Sequence, residues 1–302
     1  MLARSVQSYL ALRRAAGFQL RMVGFHLKSF ASYADARGQR YVSSKTAIEW
    51  ARQVPSVHQR ARRLADVARF ARYMHSEDSR HQVPCAIFGP EKRPRPAPYI
   101  LSEEQICRLV KLASRSNYRR LHGETYSTLF ALLSCTGLRV SEATRLRYDD
   151  ITPDGLLIRS SKCRKSRLVV LHESARVGLE RYLQLRRPYA PLDDHVFVSW
   201  ERKPLGLKGV DSAFQAAVRQ MGLPTGRGKR RPTPHSLRHS FAVRALQMCP
   251  DGRDNITQHT LMLSTTLGHT SAAYTQWYLE AVPELMRAIA DRSEAYVLGE
   301  TA

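Results

Sequence analysis

Residues 156–171 read LLIRSSKCRKSRLVVL, two apolar runs around the polar, basic turn SKCRKS. Leucine, isoleucine and valine bounded by turn residues change the period here from that of a helix to that of a strand, and predict a β-hairpin. On both sides the period is helical. Upstream, Ser102 with Gln105 has the spacing of a reciprocal helix cap, with Ile106, Leu109 and Ala113 following on one face. An apolar helix over 124–135 ends at the Thr136-Gly137 turn, and a short helix carries Val140 to Leu146. Downstream, helices are predicted over 174–185, 209–221 and 235–248. The fold class is therefore mainly α, with one small antiparallel sheet.

Further upstream, residues 84–98 read PCAIFGPEKRPRPAP. Five prolines forbid a continuous helix and favour an extended basic connector. They set the expected organisation: a helical domain over 1–88, a proline-rich linker over 89–98 and a second domain over 99–302. In the first domain, Met22, Phe25, Phe30 and Tyr33 are expected on one helical face before Gly38. Thr46 and Glu49 have the capping-box spacing for a helix around Ile48 and Trp50. Over 58–76, Leu64, Val67, Ala71 and Met74 share a face, while Arg62, Arg69 and Arg72 lie opposite as a basic stripe. By itself such a stripe is an ordinary solvated surface.

The charge of the whole chain gives that stripe a partner. Its 302 residues carry 48 Lys and Arg against 26 Asp and Glu, a formal net charge of +22. The excess is spread along the chain: residues 1–98 hold 18 basic against 6 acidic residues, and residues 99–302 hold 30 against 20. A polyanion touching both domains is the simplest explanation. The 5 cysteines, at 85, 107, 135, 163 and 249, are odd in number and scattered, without a Cys-x-x-Cys pair. That argues for a reducing compartment and against structural zinc. With no apolar run near the ~20 residues of a membrane span and no signal-peptide pattern, the expected location is the cytoplasm, with no membrane partner.

Three motifs carry the chemistry. In TGLRVSEATRL, 136–146, a glycine turn delivers Arg139 to the start of a helix with Glu142 behind it. Taken alone, an arginine held by a carboxylate is as often structural as functional. In TPHSLRHSFA, 233–242, His235 and Arg238 are three apart and face the same way. His235 and His239 have zinc-pair spacing, but serine replaces the glutamate of HExxH and no third ligand is evident. No metal or other cofactor is expected. In LGHTSAAYTQWYLE, 267–280, His269 lies in a turn and Tyr278 nine residues later on a helix. Alone, Tyr278 would be an ordinary core tyrosine.

Together the motifs resemble the tyrosine recombinases, the phage integrase and Xer-like family. That family's pattern is an arginine in a TGLR-x-SE turn, a hairpin lysine, H-x-L-R-H, L-G-H, and a tyrosine nine residues after the last histidine. Its places are taken here by Arg139, Lys162, His235, Arg238, His269 and Tyr278. Matching KSRLVVL to the family strand K-x-R-x-V-P-L selects Lys162 over Lys165, and the spacing from His269 selects Tyr278 over Tyr274. The resemblance spans essentially the whole chain. It implies an N-terminal helical core-binding domain and an α-rich catalytic domain closing on DNA as a C-shaped clamp. Two departures, Glu280 where the family often has histidine and a long stretch between Arg238 and His269, point away from the housekeeping Xer branch and toward a mobile-element integrase.

The residue types suit that activity. Attack on a DNA phosphodiester gathers negative charge in a pentacoordinate transition state, which the forked, permanently charged Arg139 and Arg238 can neutralise. His235 and His269 can donate further hydrogen bonds, and His235 is the expected handler of the tyrosine proton. The resemblance implies that Tyr278 forms a 3′-phosphotyrosyl link, that Lys162 protonates the leaving 5′-oxygen, and that neither ATP nor metal is needed. Lys165, with Arg227, Lys229, Arg230 and Arg231 in the loop GRGKRRPTPH, joins Arg62, Arg69 and Arg72 as expected contacts to double-stranded DNA. A helix opened by Pro283, with Leu285, Ile289 and Ala290 on one side, is expected by the resemblance to dock on a neighbouring protomer in a dimer or tetramer on DNA. Two other readings stay open here: a type IB topoisomerase, and an architectural DNA-binding protein without catalysis.

Overall fold

The computed structural model describes residues 2–89, 97–115, 120–159, 166–189, 194–225, 231–249, 253–271, 273–281 and 294. The chain divides into two compact units, Met1–Arg95 and Pro96–Ala302. Among the described residues its elements are mainly α-helical, with one three-stranded antiparallel sheet.

The first unit is built from α1 (Leu2–Ala15), α2 (Arg21–Asp35), α3 (Ser44–Arg52) and α4 (Val57–Glu77). Its core gathers Leu10, Leu27, Phe30, Trp50, Leu64 and Phe70. Phe30 meets Trp50 edge-on at 5.5 Å between centroids, the geometry the ring quadrupoles favour. The buried carboxylate of Asp66 is held by His26 at 2.7 Å and by Arg69, so the helices share one satisfied charge. Two expectations fail here. Met22 and Phe25 are exposed, because α2 packs through Gly24, Leu27, Phe30, Ala31 and Ala34. Gly24 lies on that face, where a Cβ would meet Arg14 Nη2 at 3.2 Å and make ordinary contact with Leu10 of α1 at 3.5 Å. Thr46 does not cap α3, which starts two residues earlier with Ser43 as its N-cap. Thr46 is buried instead, its hydroxyl accepting from Gln39 Nε2 at 2.6 Å.

The second unit opens with α5 (Glu103–Ser114), whose N-terminus carries the predicted Ser102–Gln105 capping box. It continues through α6 (Arg120–Thr136), α7 (Val140–Ala143), β1 (Ile151–Thr152), β2 (Gly155–Ile158), β3 (Arg167–Val169), α8 (Glu173–Arg186), α9 (Leu207–Gln220), α10 (Pro234–Gln247), α11 (Arg253–Leu267) and α12 (Ala273–Ala281). Strand order is β1-β2-β3, with Leu156 opposite Val169 and Ile158 opposite Arg167. Leu156, Ile158 and Val169 point inward while Leu168 and Val170 are exposed, the period-2 alternation of a one-sided sheet. The predicted hairpin is thus β2–β3, and β1 is a further strand. Its turn, residues 160–165, lies outside the described residues.

Leu129, Phe130, Val210, Phe214, Val218 and Tyr182 form the main core of this unit. A separate cluster, Ala242, Val243, Leu246, Leu263, Leu267 and Tyr278, joins α10, α11 and α12. Among the described residues, no helix is long and apolar enough to cross a membrane.

Candidate active site

Three turns converge on one place. The first is the Gly137 turn that ends α6. Gly137 has φ +64, and a Cβ there would lie 2.4 Å from Phe241 and 2.8 Å from Leu267, so the chain can pass only as glycine. It delivers Arg139 as the N-cap of α7 in extended conformation. Arg139 backbone N–H donates to Glu142 Oε2 at 2.9 Å, and its guanidinium donates to Glu142 Oε1 at 2.8 Å and to the Gly268 carbonyl at 2.9 Å. The first turn is thereby bonded to the third.

α10 supplies the second part. Its N-terminus is set by Pro234 in the first turn and by Thr233, whose backbone N–H donates to Ser236 Oγ at 3.0 Å. The predicted pair then separates by environment. His235 is exposed, whereas Arg238 is 2% exposed and donates to the carbonyls of Gly137 and Leu267, each at 2.7 Å. Burial, then the neighbouring Arg139 charge, pull the Arg238 guanidinium down to about 10, which leaves it charged at neutral pH.

The third turn follows α11. Gly268 has φ +63, and the half-buried His269 shares a hydrogen bond between Nδ1 and Thr275 Oγ1 at 2.8 Å. On α12, Tyr278 is 2% exposed, and its hydroxyl lies 2.8 Å from Nδ1 of His239. The His239 ring also packs against His235 at 4.5 Å and against Trp277 at 5.8 Å. His239 is one turn farther along α10 than His235, where α12 packs.

The sequence reading missed His239 except as a zinc partner, and gave no role to Arg167. Arg167 on β3, its side chain 8% exposed, donates through both terminal nitrogens to Glu142 at 3.1 and 2.8 Å, and through Nε to the Thr266 carbonyl at 2.8 Å. Glu142 therefore has two guanidiniums on it. Burial alone would raise its pKa, but hydrogen bonds from Arg167 and from the Arg139 backbone outweigh it and hold the carboxyl at about 2. The site carries Arg139, Arg167 and Arg238 against this carboxylate, a surplus of positive charge suited to an anionic ligand.

Glu142 also gives an acid-stability prediction. Its ordinary pKa is 4.5 and its folded value about 2, so the unfolded chain takes up the proton first as pH falls. The contribution is complete above about pH 4.5 and is lost progressively toward pH 2. Urea unfolding of wild type and E142Q from pH 7 downward should show a stability gap that is constant near neutrality and closes below that point.

Of the residues singled out in sequence, the structure brings Arg139, His235, Arg238, His269 and Tyr278 into one neighbourhood of the second unit. Lys162, Lys165, Arg227, Lys229, Arg230 and the helix opened by Pro283 lie outside the described residues. Arg231 is exposed just before α10. Arg62, Arg69 and Arg72 are exposed on α4, with Arg69 paired to Asp66.

Comparison with known proteins gives the same class. Residues 100–284 match the model of the phage integrase family. The integrase/recombinase y4rB of Sinorhizobium fredii (strain NBRC 101917 / NGR234) is 36% identical over 96% of both chains. Tyrosine recombinase XerD of Proteus mirabilis is 32% identical over 76% of this chain and 70% of its own. Among solved structures, XerH recombinase bound to palindromic difH substrate in a post-cleavage complex matches with TM-score 0.66 and 17% identity, covering 95% and 84% of the two chains. A lambda integrase tetramer bound to a Holliday junction matches with TM-score 0.62 and 17% identity, covering 90% and 78%. The chain belongs to the phage integrase family, the tyrosine recombinases, enzymes of site-specific DNA recombination.

Proposed function

We propose that Tyr278 is the nucleophile of this recombinase and that Arg139, Arg238, His235, His269 and Lys162 act on the same phosphate. The observation that carries the reading is the mutual bonding of the three turns. Arg238 donates to Gly137 and Leu267, Arg139 donates to Gly268, and Tyr278 meets α10 through His239. Two fixed guanidiniums in one partly buried neighbourhood are what a phosphoryl-transfer transition state requires.

In the forward step Tyr278 Oη attacks the scissile phosphorus, the bond to the 5′-oxygen breaks, and the phenolic proton passes to a base of the site. His239 lies within hydrogen-bond reach of that proton. Lys162 protonates the departing 5′-oxygen. The products are a 3′-phosphotyrosyl bond and a 5′-hydroxyl, and attack by the 5′-hydroxyl of another strand reverses the sequence and frees Tyr278. One phosphodiester replaces another, so no high-energy cosubstrate is consumed.

The substrate is a double-stranded recombination site, in integration or excision of a mobile element. Overall similarity to an integrase/recombinase along nearly the whole chain supports that setting. Working assemblies are dimers or tetramers on DNA, held through the C-terminal segment that begins at Pro283. Domains over 1–88 and 99–302, joined through 89–98, both contact the duplex, the first through Arg62, Arg69 and Arg72, and the second through Lys165, Arg227, Lys229, Arg230 and Arg231. If a protomer neutralises ~6–10 phosphates, affinity should fall by ~10³–10⁵ between 50 and 200 mM salt. Fluorescence anisotropy across that range checks it, and a flat profile contradicts extensive backbone contact.

The central test is covalent capture. Incubation with random-sequence nicked duplexes, followed by denaturing electrophoresis and peptide mapping, should yield a DNA adduct on Tyr278. An adduct on Tyr274 overturns the assignment.

A further inference from the structure

We infer that Arg167 is a positioning residue for strand cleavage: by neutralising Glu142 it leaves the charge of Arg139 for the DNA phosphate, and it fixes the His269 turn to the same carboxylate. The inference rests on the assignment of Arg139 and Tyr278 to the reacting phosphate.

The bonding is specific. Each Glu142 oxygen accepts from both arginines: Oε1 from the Arg139 and Arg167 side chains, and Oε2 from the Arg139 backbone and the Arg167 side chain. With Arg167 in place the group of three carries one net positive charge. Without it, Arg139 and Glu142 form a neutral pair, and the arginine is drawn toward its own carboxylate. In a site this enclosed, one unit of charge at the phosphate is a large effect.

Arg167 also acts on geometry. Its Nε donates to Thr266, and its guanidinium packs so closely against Gly268 that a Cβ on Gly268 would lie 2.6 Å from it. The Gly268 carbonyl in turn accepts from Arg139, and His269 is the next residue. One side chain on β3 therefore ties the strand after the Lys162 turn to both other turns. A lysine could supply the charge but not three directed donors on two acceptors.

The test compares wild type, R167M, R167K and R139A in single-turnover cleavage of a nicked duplex obtained by covalent capture, made with either a phosphate or a neutral methylphosphonate at the scissile position. Consumption of the intact strand, DNA affinity and Tm are read together. A neutral centre gathers less negative charge, so a variant that lacks only charge at the phosphate should lose its handicap there. R167M is expected to cleave the phosphate roughly 10²-fold more slowly at unchanged affinity. On the methylphosphonate its rate should approach wild type. R167K keeps the charge, so it should show only a smaller deficit, left by the lost directed donors, on both substrates; R167Q takes the place of R167M should R167M fail to fold. Equal deficits of R167M on both substrates would show only structural support and overturn the inference. R139A discriminates the deeper failure: if it gains nothing from the methylphosphonate, the placement of Arg139 at the phosphate is wrong; if R139A is relieved and R167M is not, only the role of Arg167 falls.

Discussion

Tyr278→Phe is expected to bind nicked DNA as the wild type does and to form no covalent adduct. The substitution removes the one atom that would join to phosphorus and keeps the ring that fills the cluster of Leu246, Leu263 and Leu267. Losing the hydrogen bond to His239 should cost about 0.5–1.5 kcal/mol of stability, which leaves the fold intact. Cleavage should fall below detection, since a phenyl ring offers no nucleophile. Tyr274→Phe is the companion: this tyrosine is 37% exposed and should retain adduct formation. Tyr278→Ala would be a poorer experiment, because a cavity in this cluster confounds loss of chemistry with loss of packing. Capture at Tyr278→Phe, read on a denaturing gel, would sink the assignment.

Arg238→Ala should produce the second large effect, and a mixed one. Removal of a buried guanidinium takes positive charge from the transition state, worth roughly 10²–10³ in cleavage rate. It also strips a donor from the Gly137 and Leu267 carbonyls, at about 1–3 kcal/mol for each acceptor left unsatisfied. Tm should therefore drop together with activity, in contrast to Tyr278→Phe. Arg238→Lys restores charge but cannot bridge both carbonyls, so it should recover stability only in part and remain slow. Single-turnover cleavage beside thermal denaturation separates the two losses. A fully active Arg238→Ala would remove Arg238 from the chemistry.

Much of the scaffold could be read from local rules, for reasons visible in the structure. The β2–β3 hairpin was marked by a change of period and α5 by its Ser102–Gln105 box. α11 escaped because it has no clean apolar stripe: Leu263 and Leu267 are buried, but Leu261 and Met262 are 66% and 69% exposed. The phase of α2 was misjudged because its packed face runs through small residues, Gly24, Ala31 and Ala34, while the large apolar Met22 and Phe25 are exposed. At the site, motif spacing was sufficient to nominate Arg139, Arg238, His269 and Tyr278. It was not sufficient to name their immediate partners. His239 and Tyr278 are 39 residues apart and meet only once α12 has packed on α10; Arg167 reaches Glu142 across 25 residues and through a sheet. Such contacts depend on tertiary packing, which no local period encodes.

Each of the three arginines has a main-chain anchor. Arg238 is held by the carbonyls of Gly137 and Leu267, Arg139 by that of Gly268, and Arg167 by that of Thr266. A main-chain carbonyl is present whatever side chain its residue carries, so these acceptors do not depend on side-chain identity. Heritable constraint thus concentrates on a handful of positions: the arginines, Glu142, and the two glycines that let the backbone pass. The surrounding surface is free to diverge, so new DNA sequences can be addressed by redrawing exposed residues around a centre whose wiring mutation cannot easily cut.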